Sequence, residues 1–180
     1  GTTHYVTNCN EWFASITTTG QPQNITGPTT VTVWLDAVQP RQYVKRHYEI
    51  TPSTNASTAT GRVTLYFTQD DFDAFNALEP PLPLPSSPTG DKSHIKIEKR
   101  SGSSTNELGD PNSYPGTPVT ILDVEVFWNN DYERWEVSFD TDGFSGFWLK
   151  TTEDALPVRW ISFEGRFYDH CYLAFAGRRT

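Results

Sequence analysis

An alternating segment that runs directly into a short helix, at residues 62–78, constrains the fold more than any other part of the chain. Its extended part places one set of apolar side chains on a single face: Val63, Leu65 and Phe67. Thr68 then has the side chain of a helix N-cap, and the acidic residues that follow suit the positive end of a helix. A helix near 69–78 would present one apolar stripe, formed by Phe72, Phe75 and Leu78. A strand that feeds such a helix needs a second layer to cover its apolar face.

Similar alternation recurs along the chain, with turns every 8 to 14 residues. We expect strands at 31–35, 42–50, 62–67, 93–100, 119–128, 134–139 and 144–150, and either an edge strand or an irregular lead-in at 4–19. The segments 119–128 and 134–139 are separated by a short polar turn and should form a hairpin. The pattern predicts an all-β fold, namely an antiparallel β-sandwich of immunoglobulin-like or jelly-roll-like type, with one short helix near 69–78.

We interpret residues 1–150 as one β-sandwich module with its core at 30–150. Residues 151–180 then form a C-terminal extension, a linker or the start of a following module, with an added strand expected at 156–167. The polar segment 101–117 is either a site of function or a flexible connection.

The net charge is −8, and the basic residues are scattered, which argues against a nucleic-acid partner. No apolar run reaches the 18 residues of a membrane-spanning helix, so we expect no membrane span. Cys9 and Cys171 either pair, as in an exported protein, or stay as two thiols.

The four histidines lack the spacing of transition-metal ligands, and we predict no cofactor of that kind. Calcium, which prefers oxygen ligands, has candidate positions at Asp140 and Asp142. Aspartate and glycine at 140–143 are also what a tight turn requires, and turn chemistry is the better explanation for them.

Motifs for nucleophilic catalysis and phosphate binding are missing from the sequence. Glu125 and Glu136 could face each other across the predicted hairpin, which leaves a glycoside hydrolase as one alternative. The other interpretation is that both carboxylates lie on a solvated strand face.

The best candidates for a ligand site are Trp34, Tyr43 and Tyr66, which fall on the strand faces opposite the predicted core. If these rings shared one exposed surface, they would form a platform on which sugar rings stack. The alternative is that both faces of these strands are covered and the rings are buried.

Four phrases follow one another in the sequence: RHYEITPSTNASTATGRVTLYFTQDDFDAFNAL (46–78), LPLPSSPTG (82–90), FWNNDYERWEVSF (127–139) and DGFSGFWL (142–149). In this order they resemble an accessory module of large secreted Bacteroidetes proteins, over roughly residues 30–150. The resemblance implies a β-sandwich in a multidomain protein that is exported by the type IX system and is secreted or held at the cell surface. It implies no catalytic residues.

Three hypotheses follow. The first is a non-catalytic module that binds a ligand, most plausibly a polysaccharide. The second is a structural spacer or presentation domain next to an export signal, without a ligand. The third is an enzyme of the glycoside hydrolase type, which has the least support from the residues. An exposed row of aromatic side chains would favour the first.

Overall fold

Antiparallel strands make up most of the regular secondary structure of the described residues, as the alternating pattern predicts. The computed structural model describes residues 1–6, 11–18, 22–78, 82–88, 92–152, 166–168 and 171–173. In chain order the elements are β1 (Thr2–Val6), β2 (Trp12–Thr17), β3 (Thr29–Leu35), β4 (Arg46–Pro52), β5 (Thr60–Phe67), α1 (Gln69–Asn76), β6 (Ile95–Arg100), β7 (Pro118–Ile121), β8 (Glu125–Asn129), β9 (Arg134–Asp142), β10 (Gly146–Thr151), β11 (Arg166–Tyr168) and β12 (Cys171–Leu173), with a 3₁₀ turn at Pro111–Ser113.

Ten of these strands form two five-stranded sheets. Sheet A has the order β1-β2-β5-β9-β8, and sheet B has the order β3-β4-β10-β6-β7. Every neighbouring pair in both sheets is antiparallel. The prediction of an all-β antiparallel sandwich with one short helix is confirmed.

The hydrophobic core lies between the two sheets. Strand β5 contributes its predicted apolar side chains, Val63, Leu65 and Phe67, at 0–1% exposure. Sheet A adds inward-facing residues from its other strands: Ala14, Ile16, Val126, Trp135, Val137 and Phe139. Sheet B adds Tyr48, Ile50, Ile95, Ile97, Phe147 and Leu149. The core therefore includes side chains N-terminal to residue 30.

Helix α1 begins with a complete capping box, in which the Thr68 hydroxyl accepts from the Asp71 N–H and the Asp71 carboxylate accepts from the Thr68 N–H. Phe72 and Phe75 are buried in the core, as expected from the apolar stripe. The helix ends at Asn76, slightly before the predicted end at 78.

The segment 119–128 is not one strand, as alternation suggested, but two. Strand β7 pairs with β6 at the edge of sheet B, and β8 pairs with β9 at the edge of sheet A. The chain crosses from one sheet to the other at residues 122–124. A crossing of this kind leaves little trace in the alternation, because both halves have the same period of two. The predicted hairpin with 134–139 is confirmed for β8, which pairs with β9. It does not include β7, which pairs with β6.

The segment 4–19 contributes a hairpin rather than one strand. Strands β1 and β2 pair antiparallel, with a bulge between Tyr5 and Val6 that sets Val6 opposite Trp12. A bulge reverses the face to which the following side chain points. Trp12 has the same sequence parity as the buried Ala14, yet it points to the outer face of sheet A.

At the C-terminal end, β11 and β12 pair with each other as a two-stranded sheet. The predicted strand at 156–167 lies mostly outside the described residues, and the division at residue 150 stays a prediction. Cys9 also lies outside them, so the pairing of the two cysteines stays open. In the part of the chain that is described, no helix has the length and apolar character needed to cross a membrane.

Candidate functional site

The structure does not bring together the three aromatic residues proposed from the sequence. Trp34 pairs with His47 across β3 and β4, and its ring lies on the outer face of sheet B. Tyr43 precedes β4 and packs against Trp148 on the same face. Tyr66 lies on the outer face of sheet A, where it is only 6% exposed. A single platform of Trp34, Tyr43 and Tyr66 is therefore wrong, because the two sheets turn their outer faces in opposite directions.

On sheet B, one row of side chains crosses three strands and forms a stack. The His47 ring lies between Trp34, with centroids 5.4 Å apart, and Trp148, with centroids 6.1 Å apart. Trp148 is only 1% exposed, yet it lies outside the core cluster. An outward-facing tryptophan this deeply buried must be covered by another part of the chain.

The segment 101–117 supplies that cover, since the Tyr114 ring packs edge-on against Trp148 with centroids 5.0 Å apart. The carbonyl of Glu107 accepts from the Trp34 indole N–H at 2.9 Å, and the Leu108 carbonyl lies 3.2 Å from Nε2 of His47. Gly109 has φ +69°, and a side chain there would meet both rings, since its Cβ would lie 2.6 Å from an atom of Trp34. These contacts hold the loop 101–117 against the outer face of sheet B.

Tyr43 belongs to a polar network rather than to an open platform. Its hydroxyl donates to Glu98 at 2.9 Å, and the same carboxylate accepts from Arg100 at 2.8 Å and from Lys150 at 2.7 Å. Burial by itself raises the pKa of Glu98, but hydrogen bonds from Lys150, Arg100 and Tyr43 outweigh it and hold the pKa below its ordinary value.

The Glu98 network should therefore weaken in acid. A carboxylate whose pKa is lower in the folded state stabilises the fold above its unfolded pKa, about 4.3, and this contribution is lost as the pH falls through the folded pKa. We expect the stability difference between the natural chain and Glu98→Gln to be largest near neutral pH and to shrink in acid. Urea unfolding at a series of pH values measures it, with the exposed Glu133→Gln as control. A difference that stays constant into strong acid would contradict the assignment.

Beside this network lies the sheet B pocket, a cavity of about 340 Å³. Its lining residues are Asp36, Pro40, Arg41, Gln42, Tyr43, Asp110, Pro111 and Trp148. Burial raises the pKa of the Asp36 carboxyl, nearby His47 opposes this rise, and nearby Asp110 adds to it. The carboxylates of Asp36 and Asp110 thus belong to residues that line the same cavity.

On sheet A, Tyr66 is covered by an arginine. The guanidinium carbon of Arg134 lies 3.7 Å from the centroid of the Tyr66 ring, and the Tyr66 hydroxyl donates to Ser15 at 3.0 Å. Arg134 also donates from Nε and Nη2 to Oε1 of Glu136, at 3.0 and 2.9 Å. Tyr66 therefore supports Arg134 and offers little free ring surface of its own.

The exposed rings of this surface are ones that the sequence reasoning missed. Trp12 is 39% exposed, and Phe127 and Tyr132 are each 61% exposed. The Trp12 and Tyr132 rings lie within 20° of parallel, with centroids 6.0 Å apart, and both lie near the Arg134 guanidinium. Phe127 pairs with Glu136 one row further along the same outer face. We call the surface formed by Trp12, Phe127, Tyr132, Arg134 and Glu136 the aromatic face.

Polar groups continue from the aromatic face across sheet A. The hydroxyls of Thr64 and Ser138 lie 2.8 Å apart on neighbouring strands. Beyond them, Arg62 forms an ion pair with Glu125 at 2.6 Å. A ligand that spans this face would thus meet rings first, then hydroxyls, then charges.

The register corrects the pairing proposed for a hydrolase. Glu125 lies opposite Ser138, and Glu136 lies opposite Phe127, so the two glutamates do not face each other across the hairpin. Each is neutralised by its own arginine, Arg62 for Glu125 and Arg134 for Glu136.

The calcium candidates also have cationic partners. Asp142 pairs with Lys99 at 3.0 Å, and Asp140 lies 3.6 Å from Arg62. The ion pair with Lys99 holds the pKa of Asp142 below its ordinary value. Within the described residues, no group of three or more His, Cys, Asp or Glu side chains could hold a metal ion. This arrangement does not favour calcium at either carboxylate.

No protein-family model, curated protein or solved structure matches the chain. The resemblance of its four phrases to the Bacteroidetes module thus stays a prediction from the sequence.

Proposed function

We propose that the chain is a non-catalytic module of a secreted or cell-surface protein, and that it binds a polysaccharide on the aromatic face. The observation that carries the proposal is the exposure of Trp12, Phe127 and Tyr132 on one open sheet face. Exposed rings that are grouped on one surface commonly mark a binding site. Sugar rings present apolar C–H faces that stack on such side chains.

The polar neighbours of these rings suit a hydroxylated ligand. Oε1 of Glu136 accepts from Asn129 at 3.0 Å and from Arg134, so the carboxylate is held in one position beside Phe127. A fixed carboxylate can accept from two sugar hydroxyls at small entropic cost, since its conformation is already set. An open sheet face favours an extended chain over a single enclosed sugar.

The origin of the module is part of the same proposal. Its four phrases support an accessory domain of a larger multidomain Bacteroidetes protein that is exported by the type IX system. In that setting, the aromatic face would hold a neighbouring domain close to its glycan. A spacer domain without a ligand is the alternative, and it would leave the three exposed rings without a role.

Affinity gel electrophoresis on a panel of soluble polysaccharides tests the proposal, with pull-down on insoluble ones. We expect retardation on at least one glycan, and we expect Trp12→Ala and Tyr132→Ala each to weaken binding about tenfold or more, since a loss of 1.4 kcal/mol is tenfold. Leu108→Ala, at an exposed apolar side chain on the sheet B side, is the matched control and should bind normally.

Two results would overturn the proposal in different ways. Binding to none of the glycans would favour the spacer. Unchanged binding in both Trp12→Ala and Tyr132→Ala would show that the ligand does not bind at the aromatic face. Unfolding midpoints of all variants show whether a loss of binding reflects loss of the fold.

A further inference from the structure

We propose that the sheet B pocket is a separate binding site for an amino sugar, a hexose unit with a free ammonium group. The pocket lies on the opposite sheet from the aromatic face, so the inference does not depend on polysaccharide binding there. Its volume of about 340 Å³ is at the lower end of the range for small-ligand sites.

The charges of the pocket favour a cation. Its lining carries the carboxylates of Asp36 and Asp110 and one guanidinium, that of Arg41, which leaves one net negative charge. Burial raises the pKa of Asp36, the neighbouring His47 opposes this rise, and the like charge of Asp110 adds to it. A ligand ammonium placed near both carboxylates would relieve that repulsion. The net charge of −8 on the whole chain attracts a cation over longer distances.

The walls of the pocket suit a ring with C–H faces. Tyr43 and Trp148 both line it, with ring centroids 6.3 Å apart and planes inclined by 53°. Their π faces attract a cation as well as the apolar side of a sugar. Pro40 and Pro111 add apolar surface from the two loops that border the cavity.

Two buried polar atoms at the pocket lack partners. Among the described residues, Nε1 of Trp148 and Nδ1 of His47 make no hydrogen bond, although both side chains are about 98–99% buried. Buried polar atoms without a partner are costly, and here both belong to side chains at or beside the pocket lining. Nδ1 of His47 lies 3.8 Å from Oδ2 of Asp36, which is one of the residues that line the pocket.

The two carboxylates and the other lining side chains together define the ligand class. An ammonium matches the paired carboxylates, and a hydroxylated ring with C–H faces matches the aromatic walls and the side-chain amide of Gln42. A neutral sugar would satisfy only the second set, and a simple amine only the first.

Binding of glucosamine and of N-acetylglucosamine to the full chain tests the proposal, because the two sugars differ at the nitrogen. NMR titration follows the Trp148 indole N–H directly, and we expect it to shift with glucosamine. We expect N-acetylglucosamine, which lacks the positive charge, to bind about tenfold more weakly or worse, a difference of about 1.4 kcal/mol.

Charge-removing variants locate the site. Asp36→Asn and Asp110→Asn should each weaken glucosamine binding about tenfold, whereas Asp123→Asn, an exposed carboxylate outside the pocket, should change it less than about twofold. Equal binding of the two sugars would overturn the requirement for an ammonium. Unchanged binding in both pocket variants, or an indole signal that does not move, would overturn the site.

These outcomes are separate from those for the aromatic face. Trp12→Ala and Tyr132→Ala should leave glucosamine binding to the pocket unchanged, and Asp36→Asn should leave polysaccharide retardation unchanged. Loss of both activities in any one of these variants would indicate unfolding rather than the loss of a site.

Discussion

Replacement of Phe72 by alanine is expected to lower the free energy of unfolding by about 3–5 kcal/mol. The ring is 0% exposed and stacks on Trp135, with centroids 5.1 Å apart and planes inclined by 12°. It also contacts Phe67, the last residue of β5, at a centroid distance of 5.9 Å. The substitution would leave a cavity between the helix and sheet A, and the surrounding rings are too rigid to collapse into it.

Urea denaturation measures this loss, with Phe127→Ala as the matched control. Phe127 is the same residue type but is 61% exposed on an edge strand, so its truncation should cost less than about 1 kcal/mol. A loss below about 1 kcal/mol for Phe72→Ala would show that the helix does not dock as described.

The second large effect is expected for Asp71→Ala, at about 3–5 kcal/mol. The Asp71 carboxylate is 2% exposed and lies 2.6 Å from Nε of Arg46. Removal of one partner from a buried ion pair leaves the other charge poorly compensated, and here it also removes half of the capping box with Thr68. The residue thus links the helix start to strand β4 of the other sheet.

Asp73→Ala, on the same helix but exposed, provides the control and should change stability by no more than about 0.5 kcal/mol. The same urea titrations give both values. If Asp71→Ala and Asp73→Ala had equal effects, the contribution of Asp71 would be that of a general helix-start charge rather than of a buried ion pair.

Together these two residues explain why the segment 62–78 dominates the sequence pattern. Phe72 fills the core from the helix, and Asp71 ties the helix start to Arg46 of sheet B. The segment fixes the fold with its inward side chains, and its outward side chains Arg62, Thr64 and Tyr66 lie beside or beneath the aromatic face. Both sites lie on outer sheet faces that the core of the sandwich supports.

Two surfaces with different chemistry face away from each other. The aromatic face is open and extends across sheet A, whereas the sheet B pocket is small and bordered by two loops. An extended glycan suits the first, and a single charged sugar suits the second. A module with both sites would hold two ligands at once, because neither surface blocks the other.

Local sequence patterns were enough to predict the sandwich and its helix. Alternation at 62–67 and 134–139 marks strands with one buried face, and Thr68 followed by Asp71 marks the helix start. These signals are short-range, since they depend on backbone geometry and on a period that any isolated strand or helix would show.

The sites could not be predicted in the same way. The inward and outward sides of a strand are visible in the sequence, but the sheet to which the strand belongs is not. Tyr66 and Trp34 have equivalent patterns, yet they lie on opposite sheets. Trp12 has the parity of a core residue, and only the bulge opposite Val6 turns it outward.

The sequence by itself determined the fold class, the helix and the core side chains of the regularly alternating segments 62–67 and 134–139, because burial imposes a regular period on each element. The tertiary structure alone decided which rings meet. Loop 101–117 covers Trp34, Arg134 covers Tyr66, and the pairing of distant strands leaves Trp12, Phe127 and Tyr132 exposed on one face. Exposure depends on contacts between residues far apart in the chain, and no local pattern records those contacts.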